Sequence, residues 1–347
     1  MASTKVLITG VTGFIGGSVL STLLETQFAS LKNIKLAGVV RGENNASVLK
    51  SKGIQPEIIQ GIEDLGLLRK IAREYDVIIN SAFAFQTEAA KALLRGLGDR
   101  SKQTGKQLHF IQETGTSNIA DRPITGTYHE DRVFSDKDDI YSYLEERNAA
   151  EEYAQRTTNI VIPQLGLELG VKTYIIQSPT IYGIGTGFFR KTSIQIPVLT
   201  RAAIKAGQAL LLGDGKAVWD YIHIADLSTM FEFLLAKILD GDRIPSGKEG
   251  MYFSETGRYA WRDLMQGIAD AGKDLGVLKT NELKPITLEE GVQVGYGSSA
   301  PFVELAYASN SRSRAHKIRE LGWKPQKTEE DFQKNFRDDF VAVLIQQ

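Results

Sequence analysis

The sequence predicts an α/β protein: a doubly wound parallel sheet followed by a smaller C-terminal α+β unit. Three observations predict it. Short β-branched apolar runs alternate with helical stretches through the first half of the chain. Each run is nearly continuous in apolar residues, as in strands buried on both faces. A glycine-rich turn joins the first run to the first helical stretch. A chain of 347 residues has room for about two domains and a sizeable core.

The elements follow in order. "KVLITG" (5–10) reads as a strand, and "FIGGSVLSTLLET" (14–26) has helical spacing. "IKLAGVVR" (34–41) is a strand, "NNASVLKSKG" (44–53) a short helix and "PEIIQG" (56–61) a strand. "LGLLRKIAREY" (65–75) is a helix, "DVIINSA" (76–82) a strand, "TEAAKALLRGLGDRSKQTG" (87–105) a helix ending at glycine, and "QLHFIQ" (107–112) a strand. One long helix is expected over 139–157, then a strand at "VKTYIIQSP" (171–179). Beyond it "GIGTGFFRKTSIQIP" (183–197) is a glycine-rich loop leading to a short segment. "GKAVWDYIHIADLSTMFEFLLAKIL" (215–239) is a strand and then a helix from about Ala225, and the tail from 327 is an amphipathic terminal helix. The expected first domain is 1–180 plus about 215–240; the smaller second unit, with the terminal helix, takes 181–214 and 241–347.

Composition excludes several functions. The chain has no cysteine, which rules out disulfides and thiolate catalysis and fits a reducing compartment. His109, His129, His223 and His316 lack metal-ligand spacing, so no metal site is expected. A formal net charge of −1 speaks against nucleic acid or an anionic membrane as the main partner. The first strand leaves no room for a signal peptide, and no apolar run approaches the ~20 residues of a membrane span. A cytoplasmic protein with a small-molecule substrate is the expectation.

"ITGVTGFIGGSVL" carries Gly10, Gly13 and Gly16 between a strand and a helix. Here glycines allow a tight turn, close backbone approach to a pyrophosphate and close helix–strand packing, and the helix N-terminus offers unpaired N–H groups. Thr12, Phe14 and Ile15 fall in the same turn. Arg41 ends the second strand, where an acidic residue would favour NAD(H); an arginine can pair with a 2′-phosphate, so NADP(H) is favoured, although Glu43 is close by. Ile62 and Glu63 follow the third strand beside the expected adenine. Ser81, Ala82 and Phe83 follow the fourth, below the diphosphate and ribose.

These residues, with "NAAEE" (148–152), "SPTIYGIGTG" (178–187) and "GDGKAVWDYIHIADL" (213–227), resemble the extended short-chain dehydrogenase/reductase family, also called the NAD-dependent epimerase/dehydratase family. The resemblance spans roughly 5–240. It implies a Rossmann domain with a small C-terminal substrate domain, a nicotinamide cofactor and often a homodimer. It also implies a tyrosine that exchanges a proton with a carbonyl/alcohol pair, a lysine four residues later that binds the ribose, and a Ser or Thr after strand five that binds the substrate oxygen. The cation matters because a phenol with a pKa of about 10 is a poor base at neutral pH.

In "YSYLEERNAAEEYAQRTT" (141–158), Tyr141 would pair with the anion Glu145, and Tyr143 with the cation Arg147 on the same helix face. Tyr143 and Arg147 are therefore the expected pair. Arginine keeps the charge but cannot relay a proton. Thr114 is the first choice for the oxygen ligand, with Thr116 second; Glu113 is either a solvent-facing turn residue or a carboxylate in the pocket. Pro179 and Thr180 match the segment that contacts the nicotinamide amide. Phe188 and Phe189 are expected to line the substrate pocket. Trp219 stands where sugar-nucleotide members carry a diphosphate-gripping arginine, which disfavours such substrates; its ring either walls the pocket or packs in the core. Asp220 and His223 are expected to be structural, and Asp226 to cap the following helix.

The leading expectation is an NADP(H)-dependent reductase or dehydrogenase of a small apolar or aromatic carbonyl or alcohol. One alternative is a non-redox epimerase or dehydratase with retained cofactor, which Glu113 would support. Another is an NADP(H)-binding sensor or scaffold without turnover.

Overall fold

The structure is a computed structural model and describes residues 3–345. Strands β1 (Lys5–Thr9), β2 (Lys35–Val40), β3 (Gln55–Ile58), β4 (Val77–Asn80) and β5 (Leu108–Gly115) join Val171–Ser178 and Met251–Phe253 in one seven-stranded sheet. Its order is Met251–Phe253, Val171–Ser178, β5, β4, β1, β2, β3, with every pairing parallel. The continuous apolar runs are the reason: Val6, Leu7, Ile8, Val77, Ile78 and Ile79 have no solvent exposure, which needs helices on both faces. Strand order reverses between β1 and β4, and that switch point opens a crevice at the carboxyl ends of the strands.

The helices are α1 (Phe14–Leu24), α2 (Glu43–Ser51), α3 (Leu65–Ala72), α4 (Thr87–Thr104), α5 (Ile140–Ala150), α6 (Ala154–Leu169), α7 (Gln195–Ala206), α8 (Ile224–Leu239) and α9 (Trp261–Asp274). α1 packs on α8, while α3, α4 and α6 pack side by side. A second core is aromatic. Trp219 meets Trp261 with centroids 5.6 Å apart, and Tyr221 stacks on Phe332 of the terminal helix Glu329–Ile345 at 4.1 Å. A three-stranded sheet runs through it in the order Gly257–Ala260, Val218–His223, Thr180–Tyr182.

Four expectations need correction. The long helix over 139–157 is two helices. Glu151 is extended (φ −148°, ψ 105°), and the chain re-enters a helix only after Tyr153, which continues through Pro163 to Leu169. The segment after the glycine-rich loop is the full helix α7. Met251–Phe253 and the short helix His316–Glu320, expected in the substrate-binding unit, pack with the first core, because Met251–Phe253 adds to the edge of the large sheet. Finally, His223 and not Asp226 caps α8, accepting from Ala225 N at 3.0 Å; Asp226 accepts from the backbone of Gln326 and Lys327 and so holds the segment leading to the terminal helix.

Asp220 is structural, as its position suggests. It is fully buried, accepts from Arg258 Nε at 2.6 Å, and takes both the backbone N–H and the hydroxyl of Ser313. Removing one partner of a buried ion pair strands the other. D220A should therefore lose about 3 kcal/mol of stability in urea denaturation, and an unchanged midpoint would contradict this role.

Candidate functional site

The crevice is a cleft of about 860 Å³, within the usual range for a cofactor or ligand site. The glycine turn forms one wall. Gly10 has φ +73°, and a Cβ there would lie 2.9 Å from Ser81 Oγ and 3.1 Å from its carbonyl oxygen, so only glycine fits. A buried polar chain fixes this turn. Ser81 Oγ donates to the Thr9 carbonyl at 2.6 Å, Thr9 Oγ1 to Asn80 Oδ1 at 2.6 Å, and Asn80 Nδ2 to Gln112 Oε1 at 2.7 Å. The chain thus ties β1, β4 and β5 together just below the cleft.

The N-terminus of α1 opens into this cleft. Its N-cap is Gly13, no side chain caps it, and no acid sits in its first turn. Free N–H groups at the positive end of a helix suit an anion such as a diphosphate. Thr12, Phe14, Ile15 and Gly16 line the same wall. Arg41, Ile62, Glu63, Ser81, Ala82 and Phe83 line the cleft as well. Arg41 is exposed and has no ion-pair partner among the described residues. The residues present therefore fit a dinucleotide.

At the other end Glu113, Thr114, Thr116 and Pro179 line the cleft. Thr116 Oγ1 is buried without a hydrogen-bond partner, whereas Thr114 Oγ1 receives Asn118 Nδ2 at 3.4 Å. Glu113 is a cleft carboxyl, 8% exposed, and not a solvent-facing turn residue. Burial pushes its pKa up to about 8, against a smaller opposing effect of the Ser178 hydroxyl. Trp219 satisfies both of its readings: it lines the cleft, and its Nε1 donates to Ser309 Oγ at 3.0 Å within the second core.

Tyr143 and Arg147 lie elsewhere. They face a separate surface recess with Tyr128, Arg132, Glu146 and Glu151, and neither lines the cleft. The Tyr143 hydroxyl pairs with that of Tyr128 at 3.1 Å, and its ring packs on Phe134 at 4.5 Å. Burial raises its pKa far above the usual phenol value, and the Arg147 charge does not offset this. Arg147 lies 3.7 Å over the Tyr128 ring and binds Glu151 at 2.7 Å. The cause is local pairing: Tyr128 holds the Tyr143 hydroxyl and Glu151 the Arg147 guanidinium within this recess. Thr180 is also outside: it is buried, with its hydroxyl 2.7 Å from that of Tyr259. Phe188 and Phe189 pack on the first core and do not line the cleft, because their loop runs back over α1.

The cleft holds a different tyrosine. The Tyr153 hydroxyl lies 3.1 Å from Ser117 Oγ, and Ser117 Oγ donates to Gln155 Oε1 at 2.8 Å. With Ser117's one proton committed to Gln155, the phenol donates to Ser117. All three line the cleft. Burial raises the Tyr153 pKa, and the charges of Arg156 and Arg122 pull it down. The Tyr–x–x–x–cation pattern misses this residue, since Thr157 stands four positions later and accepts from Asn148 at 3.2 Å. The cation sits three positions later instead: Arg156 Cζ lies 5.6 Å from the Tyr153 ring centroid. Ser117 had a visible signal, being the next hydroxyl after Thr116 at the end of β5.

No protein-family model matches the chain. It is 27% identical over 337 residues to oxidase ucsJ of an Acremonium species, covering 92% of each chain. It is 25% identical to an uncharacterised protein of Saccharomyces cerevisiae, covering 93% of this chain and 95% of the relative. Among solved structures, UDP-glucose 4-epimerase of Thermotoga maritima superposes with a TM-score of 0.63 at 16% identity, covering 98% of this chain and 100% of that one. A dTDP-glucose 4,6-dehydratase of Streptomyces venezuelae, solved with NAD bound, superposes with a TM-score of 0.64 at 16% identity, covering 96% of each. The chain therefore shares the fold of these two proteins, built on a parallel Rossmann-type sheet. No helix among the described residues is long and apolar enough to cross a membrane.

The buried Glu113 carboxyl makes a pH-dependent prediction. The unfolded chain ionises it near 4.5 and the folded chain only near 8, so its folded-state penalty is absent below 4.5 and grows as pH rises toward 8. E113Q removes that penalty. Its stability relative to wild type should rise by up to roughly 1.4 kcal/mol per pH unit across that window and then level off. Denaturation at a series of pH values measures it; a pH-independent difference would place Glu113 in a solvated setting.

Proposed function

We propose that the protein is a nicotinamide-dinucleotide oxidoreductase of a small apolar or aromatic carbonyl or alcohol, with NADP(H) preferred. The observation that carries this reading is the Ser117–Tyr153 hydroxyl pair, set in the same cleft as the uncapped N-terminus of α1. The α1 amides and the glycine turn hold the diphosphate, and Arg41 meets the 2′-phosphate. The bound nicotinamide supplies or accepts the hydride at the substrate carbon.

The chain's own residues handle the proton and the orientation. In the reductive direction Tyr153 donates its phenolic proton to the substrate oxygen, while Ser117 turns its single proton from Gln155 Oε1 onto that oxygen. Arg156 favours the phenolate left behind. Around the cleft Phe85, Ile194 and Phe302 expose apolar surface, 46%, 61% and 40% respectively. Exposed apolar side chains grouped at a cleft suit an apolar substrate. Oxidase ucsJ, similar over nearly the whole chain, bears a redox name, which agrees with this reading.

Glu113 supports a second reading, net non-redox chemistry with retained cofactor, since a buried neutral carboxyl in the cleft is a second proton carrier. Product formation without net change in NADPH absorbance would identify it.

Y153F should lower turnover by about 10²–10⁴-fold with dinucleotide affinity intact, whereas Y143F should stay active; steady-state rates on an aldehyde and ketone panel check both. Full activity of Y153F would remove Tyr153 from the chemistry. R41Q should weaken NADPH binding by about tenfold or more and leave NADH binding nearly unchanged, as measured by fluorescence titration. Equal losses for both cofactors would refute the 2′-phosphate contact.

A further inference from the structure

We propose that Arg190 is a second, independent half of the cofactor's diphosphate site, carried over the α1 N-terminus by the loop Gly183–Ser193. This rests on the dinucleotide reading above and adds a residue and a device to it.

The loop is strapped onto α1. Thr186 N donates to Ser18 Oγ at 3.3 Å, and Ser21 Oγ donates to the Thr186 carbonyl at 3.0 Å. Gly187 lies directly on Gly17, where a Cβ on Gly187 would come within 2.9 Å of the Gly17 backbone. Two glycines therefore allow a contact that any side chain would prevent. The Gly185 N–H to Lys191 carbonyl bond, 2.8 Å, closes the loop, and the Arg190 N–H reaches the Thr12 carbonyl at 3.4 Å. Arg190 thus begins beside the very turn whose amides face the anion.

Its guanidinium is held but not neutralised. Nε donates to the Thr192 carbonyl at 3.2 Å and Nη2 to the Ser193 carbonyl at 3.1 Å. The remaining N–H groups have no acceptor, and no carboxylate pairs with Arg190, among the described residues. Arg190 and Ser193 both line the cleft, and Ser193 Oγ is buried with no hydrogen-bond partner. Arg41 and Arg190 are the cations among the lining residues, and Arg41 stands at the end of β2 with the adenosine end. A diphosphate brings about two negative charges, while a helix N-terminus supplies about half a positive one. A planar guanidinium on the lining of the same cleft is suited to meet the deficit with directed, charge-assisted hydrogen bonds.

The test is binding, not turnover. The full chain is titrated with NADPH and ADP-ribose, which carry the diphosphate, and with adenosine 2′-monophosphate, which does not. R190Q should weaken ADP-ribose and NADPH about 10- to 100-fold, flatten the dependence of affinity on salt, and leave adenosine 2′-monophosphate unchanged. R190K should recover part of the loss, which separates charge from loop distortion. R41Q should show the converse, losing adenosine 2′-monophosphate and keeping ADP-ribose. Wild-type affinity of R190Q for ADP-ribose overturns the proposal while leaving the cofactor reading intact. Failure of the wild-type protein to bind any dinucleotide overturns both.

Discussion

The candidate site depends on one buried cation. Arg156 is 2% exposed and has no carboxylate ion-pair partner among the described residues. Its guanidinium spends its donors on backbone carbonyls: Asn118 at 3.1 Å, Arg147 at 3.2 Å and Glu151 at 2.7 Å. Two of these carbonyls belong to the C-terminal end of α5, and the third follows Ser117. One side chain therefore satisfies the Glu151 carbonyl at the helix break, adds a second donor to the Arg147 carbonyl that already accepts from Glu151 N, and at the same stroke ties the β5 end to the start of α6. Tyr153 stands at that start in extended backbone, its N–H on Asn148 Oδ1 at 3.0 Å. Without the break, Tyr153 would be one more residue on a continuous helix and would not meet Ser117.

Glu151 completes the corner. Its carboxylate is shared by Arg122 at 2.5 Å and Arg147 at 2.7 Å. Arg122 Nη1 also donates to the Pro301 carbonyl at 2.7 Å, which links the corner to the C-terminal unit. Arg147 thus has a definite task, though a structural one: it anchors the residue at which the helix stops. The positive charge that pulls the Tyr153 pKa down comes first from Arg156 and then from Arg122.

How far the sequence could be read follows from where each cue is local. The strands of the sheet are legible because parallel, doubly covered strands must be continuously apolar, as Val77–Ile79 is. The glycine turn is legible because its three glycines sit where a strand hands over to a helix. Residues just past strand ends, such as Arg41, Ile62, Ser81 and Thr116, then fall on the cleft, since parallel strands all point their carboxyl ends the same way. The break at Glu151–Tyr153 was not legible. "NAAEEYAQR" is rich in good helix formers, and what stops the helix is tertiary: Arg156 reaching back, and Arg122 arriving from the loop after β5. A search for a cation four residues after a tyrosine then selects Tyr143–Arg147 and passes over Tyr153. Thr180 fails for a simpler reason: its hydroxyl pairs with Tyr259 in the second core, while Ser178, Pro179 and Ile181 around it line the cleft.

Charge divides the cleft into two chemically distinct ends. The chain as a whole carries a formal charge of −1, yet the cleft's cations are the arginines Arg41 and Arg190, and its buried acid, Glu113, is held protonated at neutral pH. The glycine-turn end is thus locally positive, where α1 presents its amides. The opposite end offers Phe85 edge-on to Tyr153 at 5.8 Å, with Trp219 and Phe302 also on the lining and no cation lining it among the described residues. An anionic group is favoured at the first end, and an uncharged, apolar one at the second. On the proposed reading the dinucleotide's diphosphate takes the first and the substrate the second, and the Ser117–Tyr153 pair marks where the two meet.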